Sequence, residues 1–230
     1  MKEILCNSTY FGVAISLIGY GIGVMLRKKF RYGFLNPLLI SIVFVIGVVL
    51  LCKVDYESYE ASGKYLSYLL TPATVCLAVP LYQQLTLLKK NLAAVVCGIT
   101  AGVIASLCSV LLLSAFFRLG HETYVTLLPK SITTAIGMGV SQELGGMVTI
   151  TVAVIIITGV FGNVVGELVC RIFRIYEPIA VGLALGTSAH AIGTSKALEL
   201  GEVQGAMSSL SIAVAGIMTV IGASVFANFY

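Results

Sequence analysis

Three stretches of this 230-residue chain carry side chains that could bind a small anion. The first is Leu70-Thr71-Pro72-Ala73-Thr74, running on to Ala78-Val79-Pro80-Leu81-Tyr82. Each proline removes a backbone donor and clashes with the carbonyl four residues back, so Thr71 and Thr74 stand beside carbonyls without helical partners. A kinked helix with back-bonded threonines is one reading; two prolines with polar residues between them favour breaks at Pro72 and Pro80. The second stretch is Leu128-Pro129-Lys130-Ser131-Ile132-Thr133-Thr134. Pro129 suits a first helical turn, which leaves N–H groups free for an anion. Lys130, Ser131, Thr133 and Thr134 add a cation and hydroxyls there. The rival is a Lys130 that snorkels to the interface. The third stretch, Gly182 to Ala197, sets Thr187, Ser188, His190 and Thr194 among small residues, with Gly186 and Gly193 as expected helix breaks. An ionisable group in mid-segment points to function, and imidazole suits proton coupling. A neutral His190 bridging two helices is the alternative.

Other chemistry finds little support. With two histidines, His121 and His190, and no nucleophile–base pattern or H-E-x-x-H, the chain does not read as an enzyme. Intramembrane proteolysis lacks any signature. Six cysteines stand singly, with no C-x-x-C pair, so neither a metal site nor a disulfide framework is read, and no cofactor is called for.

The elements that must position these residues follow from composition. The chain is 58% hydrophobic and 10% charged, where a soluble domain of this size needs about 25% charged residues. The fold class is therefore an all-α membrane protein, a polytopic bundle with discontinuous and re-entrant helices. Eight apolar segments are expected, at 7–26, 35–52, 65–88, 91–117, 124–146, 147–170, 178–198 and 203–230. The segments at 65–88, 124–146 and 178–198 are interrupted.

Arg27, Lys28, Lys29, Arg31, Lys89, Lys90, Arg171 and Arg174 fall in three connections whose only acid is Glu177. The other connections are acidic, so the positive-inside rule places the basic three in the cytoplasm. Segment 124–146 must then enter and leave on the outer face. The expectation is an outer N-terminus, an inner C-terminus and Lys196 near the outer end. Residues 35–117 and 147–230 each read as span, interrupted span, span, in opposite orientations. Such inverted repeats with discontinuous helices point to a secondary transporter. The expected organisation is one membrane domain: a first span and basic loop (1–34), a repeat (35–117), a re-entrant segment (118–146) and an inverted repeat (147–230).

The three polar stretches, with the tail Gly201-Glu202-Val203-Gln204-Gly205, resemble the LrgB/CidB family of antiholin-like membrane proteins from about Pro37 onward. Ala135 departs from the proline expected after Thr134, and Ser188 and Ser195 stand where alanine is common. The resemblance implies a bacterial cytoplasmic-membrane protein. It offers two functions: control of murein hydrolase export and autolysis, alongside a small LrgA/CidA-like membrane partner, or transport of small carboxylates. A plastidial relative carries glycolate and glycerate, and bacterial members are associated with pyruvate uptake. The expected function is alternating-access, proton-coupled transport of a small monocarboxylate by a homo-oligomer, a dimer being favoured. Lys130 and the N–H groups after Pro129 would hold the carboxylate. Thr71, Thr74, Ser131, Thr133, Thr134, Thr187, Ser188 and Thr194 would bond its other oxygens, and His190 would carry the proton.

Overall fold

The structure is a computed structural model that describes residues 10–30 and 37–230. Its elements are helices, and they group into two compact units, Met1–Cys76 and Leu77–Tyr230. The division falls inside the expected repeat at 35–117. Four helices are long and apolar enough to cross a membrane: Phe11–Phe30, Leu92–Phe117, Val148–Ile172 and Glu202–Phe229.

In the first unit, α1 (Phe11–Phe30) and α2 (Pro37–Cys52) pack antiparallel, with Gly23 against Pro37 and Gly19 against Ser41. A polar helix, α3 (Tyr56–Ser67), lies against the first turns of α1, where the Gly12 N–H donates to Ser62 Oγ at 2.8 Å. The interrupted segment expected at 65–88 becomes the end of α3 and three short helices: α4 (Leu70–Cys76), α5 (Ala78–Gln83) and α6 (Leu85–Lys90). Pro72 and Pro80 are the third residues of α4 and α5, so the breaks lie just before the prolines rather than at them. A missing N–H costs nothing in a first turn, whose N–H groups have no intrahelical acceptor.

The second unit is built on α7 (Leu92–Phe117), α10 (Val148–Ile172) and α12 (Glu202–Phe226). Helices α7 and α12 run parallel: Thr100 lies 3.9 Å from Met218 Sδ, Gly222 faces Leu107, and Tyr230 OH donates to Ser114 O at 3.2 Å. Between α7 and α10 the chain forms a hairpin of α8 (His121–Leu127) and α9 (Thr134–Glu143). Its ends close on each other, since the Met147 N–H donates to Thr126 Oγ1 at 2.8 Å and Thr151 Oγ1 to Thr126 O at 3.0 Å. This is the shape that a re-entrant element at 124–146 requires.

Helix α11 (Pro178–Leu200) departs from expectation. Rather than crossing, it doubles back at Ala189 (φ −131°, ψ 15°) and His190 (φ 42°, ψ −135°). Its first arm runs antiparallel to α10, with Ala189 against Gly162 and Leu185 against Gly166. Its return arm retraces the same face of α10. Asn163 Nδ2 donates to Ile192 O at 2.6 Å, and Lys196 Nζ lies 2.8 Å from Glu167 Oε2. Gly193 sits directly against Leu185 O, which a continuous helix would hold about 12 Å away.

Three expectations are corrected by this turn. Gly186 and Gly193 do not break the helix; they lie in the two arms. A Cβ on Gly186 would come within 2.6 Å of Ser208 O on α12, and one on Gly193 would strike Leu185 O. Lys196 sits at the same end as Arg171, in a chain of ion pairs through Glu167 and Glu199, and not at the opposite end. The last helix finishes beside the 118–123 connection, with His121 Nδ1 donating to Tyr230 O at 2.7 Å, so that connection and Tyr230 share one end. An inner C-terminus is thus incompatible with an outer 118–123 loop. The physical reason is parity: a hairpin makes no crossing, so α12 runs opposite to the direction expected. Residues 1–9 and 31–36, and with them the readings of Cys6 and Arg31, lie outside the described residues.

Within this unit a helix and then a hairpin occur twice, first as α7 with α8–α9 and then as α10 with α11. The two long helices run in opposite directions.

Candidate functional site

A groove of about 880 Å³ runs along the second unit between α7, α10 and the first arm of α11. Its α7 wall is a stripe of small residues, Ala94, Gly98, Gly102, Ala105 and Ser109, at the three- and four-residue spacing of one helical face. The absence of bulk is what opens the space. A Cβ at Gly102 would lie 2.9 Å from Thr187 Oγ1. One end of the groove is formed by Asn91, Cys170 and Glu177, next to Lys89, Lys90, Arg171 and Arg174. Further along, the groove meets Lys130 and Ser131 in the turn between α8 and α9.

There Lys130 Nζ donates to Ser131 Oγ at 3.0 Å and to Ser106 Oγ at 3.3 Å, and the two hydroxyls are 3.0 Å apart. Ser106 is eleven residues before the end of α7, about 16 Å along its axis, so the triangle sits well inside the thickness that α7 spans. Among the described residues, no carboxylate forms an ion pair with Lys130. A cation with no counter-ion among the described residues, held by two hydroxyls in the groove, attracts an anion by its charge. Its desolvation cost falls when an opposite charge arrives.

The structure brings four of the expected site residues to this groove: Lys130, Ser131, Thr187 and Ser188. It places the others elsewhere. Thr133 and Thr134 form the N-cap and first residue of α9 and do not line the groove. Pro129 stands in the turn, not in a helix start. The N–H groups that follow it at Lys130 and Ile132 already bond Leu127 O and Pro129 O, at 3.1 and 3.3 Å. The first turn of α9, after Thr133, is where helix geometry leaves N–H groups without intrahelical acceptors. Thr71 and Thr74 lie on α4 in the other compact unit, and their side chains are outside those described.

His190 is 3% exposed and absent from the groove lining; its Nε2 donates to Ile155 O at 3.1 Å. A Cβ on Gly159 would lie 2.8 Å from the ring, so the glycine makes room for the imidazole. Thr194 is also buried. Its hydroxyl bonds His190 O at 3.0 Å and Ser208 Oγ at 2.7 Å, which ties the return arm to α12. In this geometry both residues hold the hairpin turn in place. Ser106, Ser109 and Thr158 also line the groove and are not among the residues the sequence points to. Their only signal is that Ser106 and Ser109 continue the small-residue stripe of α7.

The LrgB-like family model matches residues 16–229. Two proteins named antiholin-like protein LrgB, from Bacillus cereus strain B4264 and Bacillus anthracis strain CDC 684 / NRRL 3495, are each 38% identical over 221 residues. In both cases the match covers 96% of this chain and 96% of the relative. The chain belongs to the LrgB family. No solved structure matches it. For an LrgB-family protein, the geometry identifies Lys130 as a charge set within the membrane-length part of the fold, and His190 as the turn residue of a second hairpin.

Proposed function

We propose that this LrgB-family protein is a secondary transporter of small monocarboxylates, of the glycolate, glycerate, lactate or pyruvate type. The observation that carries the reading is the Lys130 ammonium, held by Ser106 and Ser131 and lacking an acid partner among the described residues. The ammonium and one serine hydroxyl have hydrogens to spare for a single carboxylate. The positive-inside rule puts the groove mouth, beside Arg171 and Arg174, on the cytoplasmic side. Two hairpins carried by oppositely directed helices would be the moving parts that alternating access requires. Proton coupling belongs to the same proposal. His190 would serve as carrier by releasing Ile155 O during the cycle, and a dimer is the assembly proposed.

A second reading is favoured by the relatives' name, antiholin-like protein LrgB: an antiholin-like regulator, for which control of autolysis and a small LrgA/CidA-like partner are the proposed setting. One experiment separates the two. The purified chain in liposomes should accumulate labelled glycolate or pyruvate under an imposed pH gradient while retaining a small entrapped dye. Dye release without carboxylate specificity, or no uptake by folded protein, would overturn transport and leave the regulator.

A further inference from the structure

We infer that the groove of the second unit seats an anionic phospholipid of the cytoplasmic leaflet, its phosphate at the basic mouth and an acyl chain along the α7 wall. The groove is divided by chemistry along its length. From Asn91 to Ser109 it follows α7 for 18 residues, about 27 Å, close to the roughly 30 Å of a hydrocarbon core. Every hydroxyl in the lining, together with Lys130, belongs to the far half, from Gly102 and Thr187 onward. The half next to the mouth is apolar, with Ala94, Gly98, Val165, Val169, Ala180 and Leu183 in its walls and Asn91 and Glu177 at its rim. A small polar solute finds nothing in those walls to replace its water. A hydrocarbon chain needs no replacement.

The mouth carries the charge that the other end of such an amphiphile requires. Lys89 and Lys90 close α6 immediately before Asn91, and Arg171 and Arg174 follow Cys170 on the α10 wall. Lys89, Lys90 and Arg174 are exposed and, among the described residues, form no ion pair, while Arg171 pairs with Glu167. Glu177 is the one acid in the groove lining, so the cations outnumber it. The turn after α10 also exposes Phe173 and Tyr176 beside Arg171 and Arg174, the aromatic and basic side chains that sit at headgroup level. Basic pockets between membrane helices on the cytoplasmic side hold anionic headgroups. A transmembrane helix would fill the apolar half and leave these cations unmet. Half of a hydrocarbon core is about 15 Å, whereas Ser106 lies about 22 Å from Asn91 along α7. A chain from the cytoplasmic leaflet therefore fills the apolar half and stops short of Lys130. The lipid site does not depend on the transporter reading.

The test is native mass spectrometry of the purified full-length chain in neutral detergent. The probes are phosphatidylglycerol and phosphatidylcholine with identical acyl chains, and glycerol phosphate as a headgroup without chains. Phosphatidylglycerol should bind roughly tenfold tighter than phosphatidylcholine, and glycerol phosphate should not displace it. Lys89→Gln, Lys90→Gln and Arg174→Gln in one chain should bring the ratio of the two lipids towards one. Ala94→Phe puts a ring into the apolar half and should weaken both lipids about tenfold while keeping their ratio. All four substituted residues are exposed, so both variants should fold. Equal binding of the two lipids, a preference that survives the triple variant, displacement by glycerol phosphate, or unchanged lipid affinity in Ala94→Phe each overturns the site. Dimers that carry no lipid would give the groove to a second copy of this chain and overturn it as well. Carboxylate uptake in liposomes is read separately and can fail or succeed with the lipid site intact.

Discussion

The two hairpins of the second unit share an architecture and put their polar groups to opposite uses. In α8–α9 the chain spends six residues on the turn, 128–133, and sends Lys130 and Ser131 into the groove. The hairpin of α11 turns on two residues, Ala189 and His190, and satisfies its polar groups against α10 and α12, through Ile155 O, Asn163 and Ser208. A long turn leaves donors over for a ligand, whereas a tight one consumes them to hold itself shut. On the transporter reading the first hairpin is the binding element, and the second is a closely packed wall.

That contrast can be broken from the packing side first. Gly193→Val drives a side chain into backbone at Leu185, and backbone cannot move aside as a flexible side chain would. It should destabilise the protein by about 3 kcal/mol, the upper end of overpacking costs. Gly139 in α9 has open space around it, so Gly139→Ala should be neutral or slightly stabilising. Thermal unfolding in detergent reads both. A weaker effect at Gly193 than at Gly139 would mean that α11 does not double back.

Next in size is the turn itself. At φ 42°, ψ −135°, His190 holds a backbone conformation that costs of order 1–3 kcal/mol outside glycine. His190→Gly loses the bond to Ile155 O but relieves that cost; His190→Ala loses the bond and keeps it. The glycine variant should therefore melt higher than the alanine variant. On the binding side, Ser106→Ala removes one of the two hydroxyls that hold the ammonium and should weaken carboxylate affinity about threefold to tenfold. Thr194→Ala, away from the groove, should lower stability and leave affinity alone. The smallest effect belongs to Lys196→Met. Its pair with Glu167 is partly exposed and should contribute about 1 kcal/mol or less to the melting transition, less still in high salt.

The first hairpin was legible in the sequence because charge marks both of its flanks. The basic connections at 89–90 and 171–174 leave no room for segment 124–146 to cross, and Pro129 with its polar neighbours locates the turn. The second was hidden because 178–198 is long and apolar enough to pass as a span. Its turn falls on Ala189-His190, with neither proline nor glycine, while the glycines that drew attention serve close packing of the arms. Position within a helix says nothing of which neighbour a small residue faces, so Gly186 and Gly193 read equally well as breaks. Ser106 escaped for a related reason. A lone serine in an apolar helix normally bonds its own backbone, and only the approach of Lys130 and Ser131 from another element turns Ser106 to the groove. Thr133 and Thr134 adjoin Lys130 in sequence, yet the helix that starts between them carries both away from the groove.

The central claim is that the Lys130 ammonium receives the carboxylate, and its most direct test is calorimetric titration of glycolate into the purified chain and its Lys130→Met variant. The variant removes the charge and keeps most of the side-chain volume. Saturable binding by the wild-type chain, weakened by on the order of tenfold to a hundredfold in a variant with an unchanged melting transition, is the predicted result. Equal affinity in the two proteins would contradict it and move the anion site elsewhere.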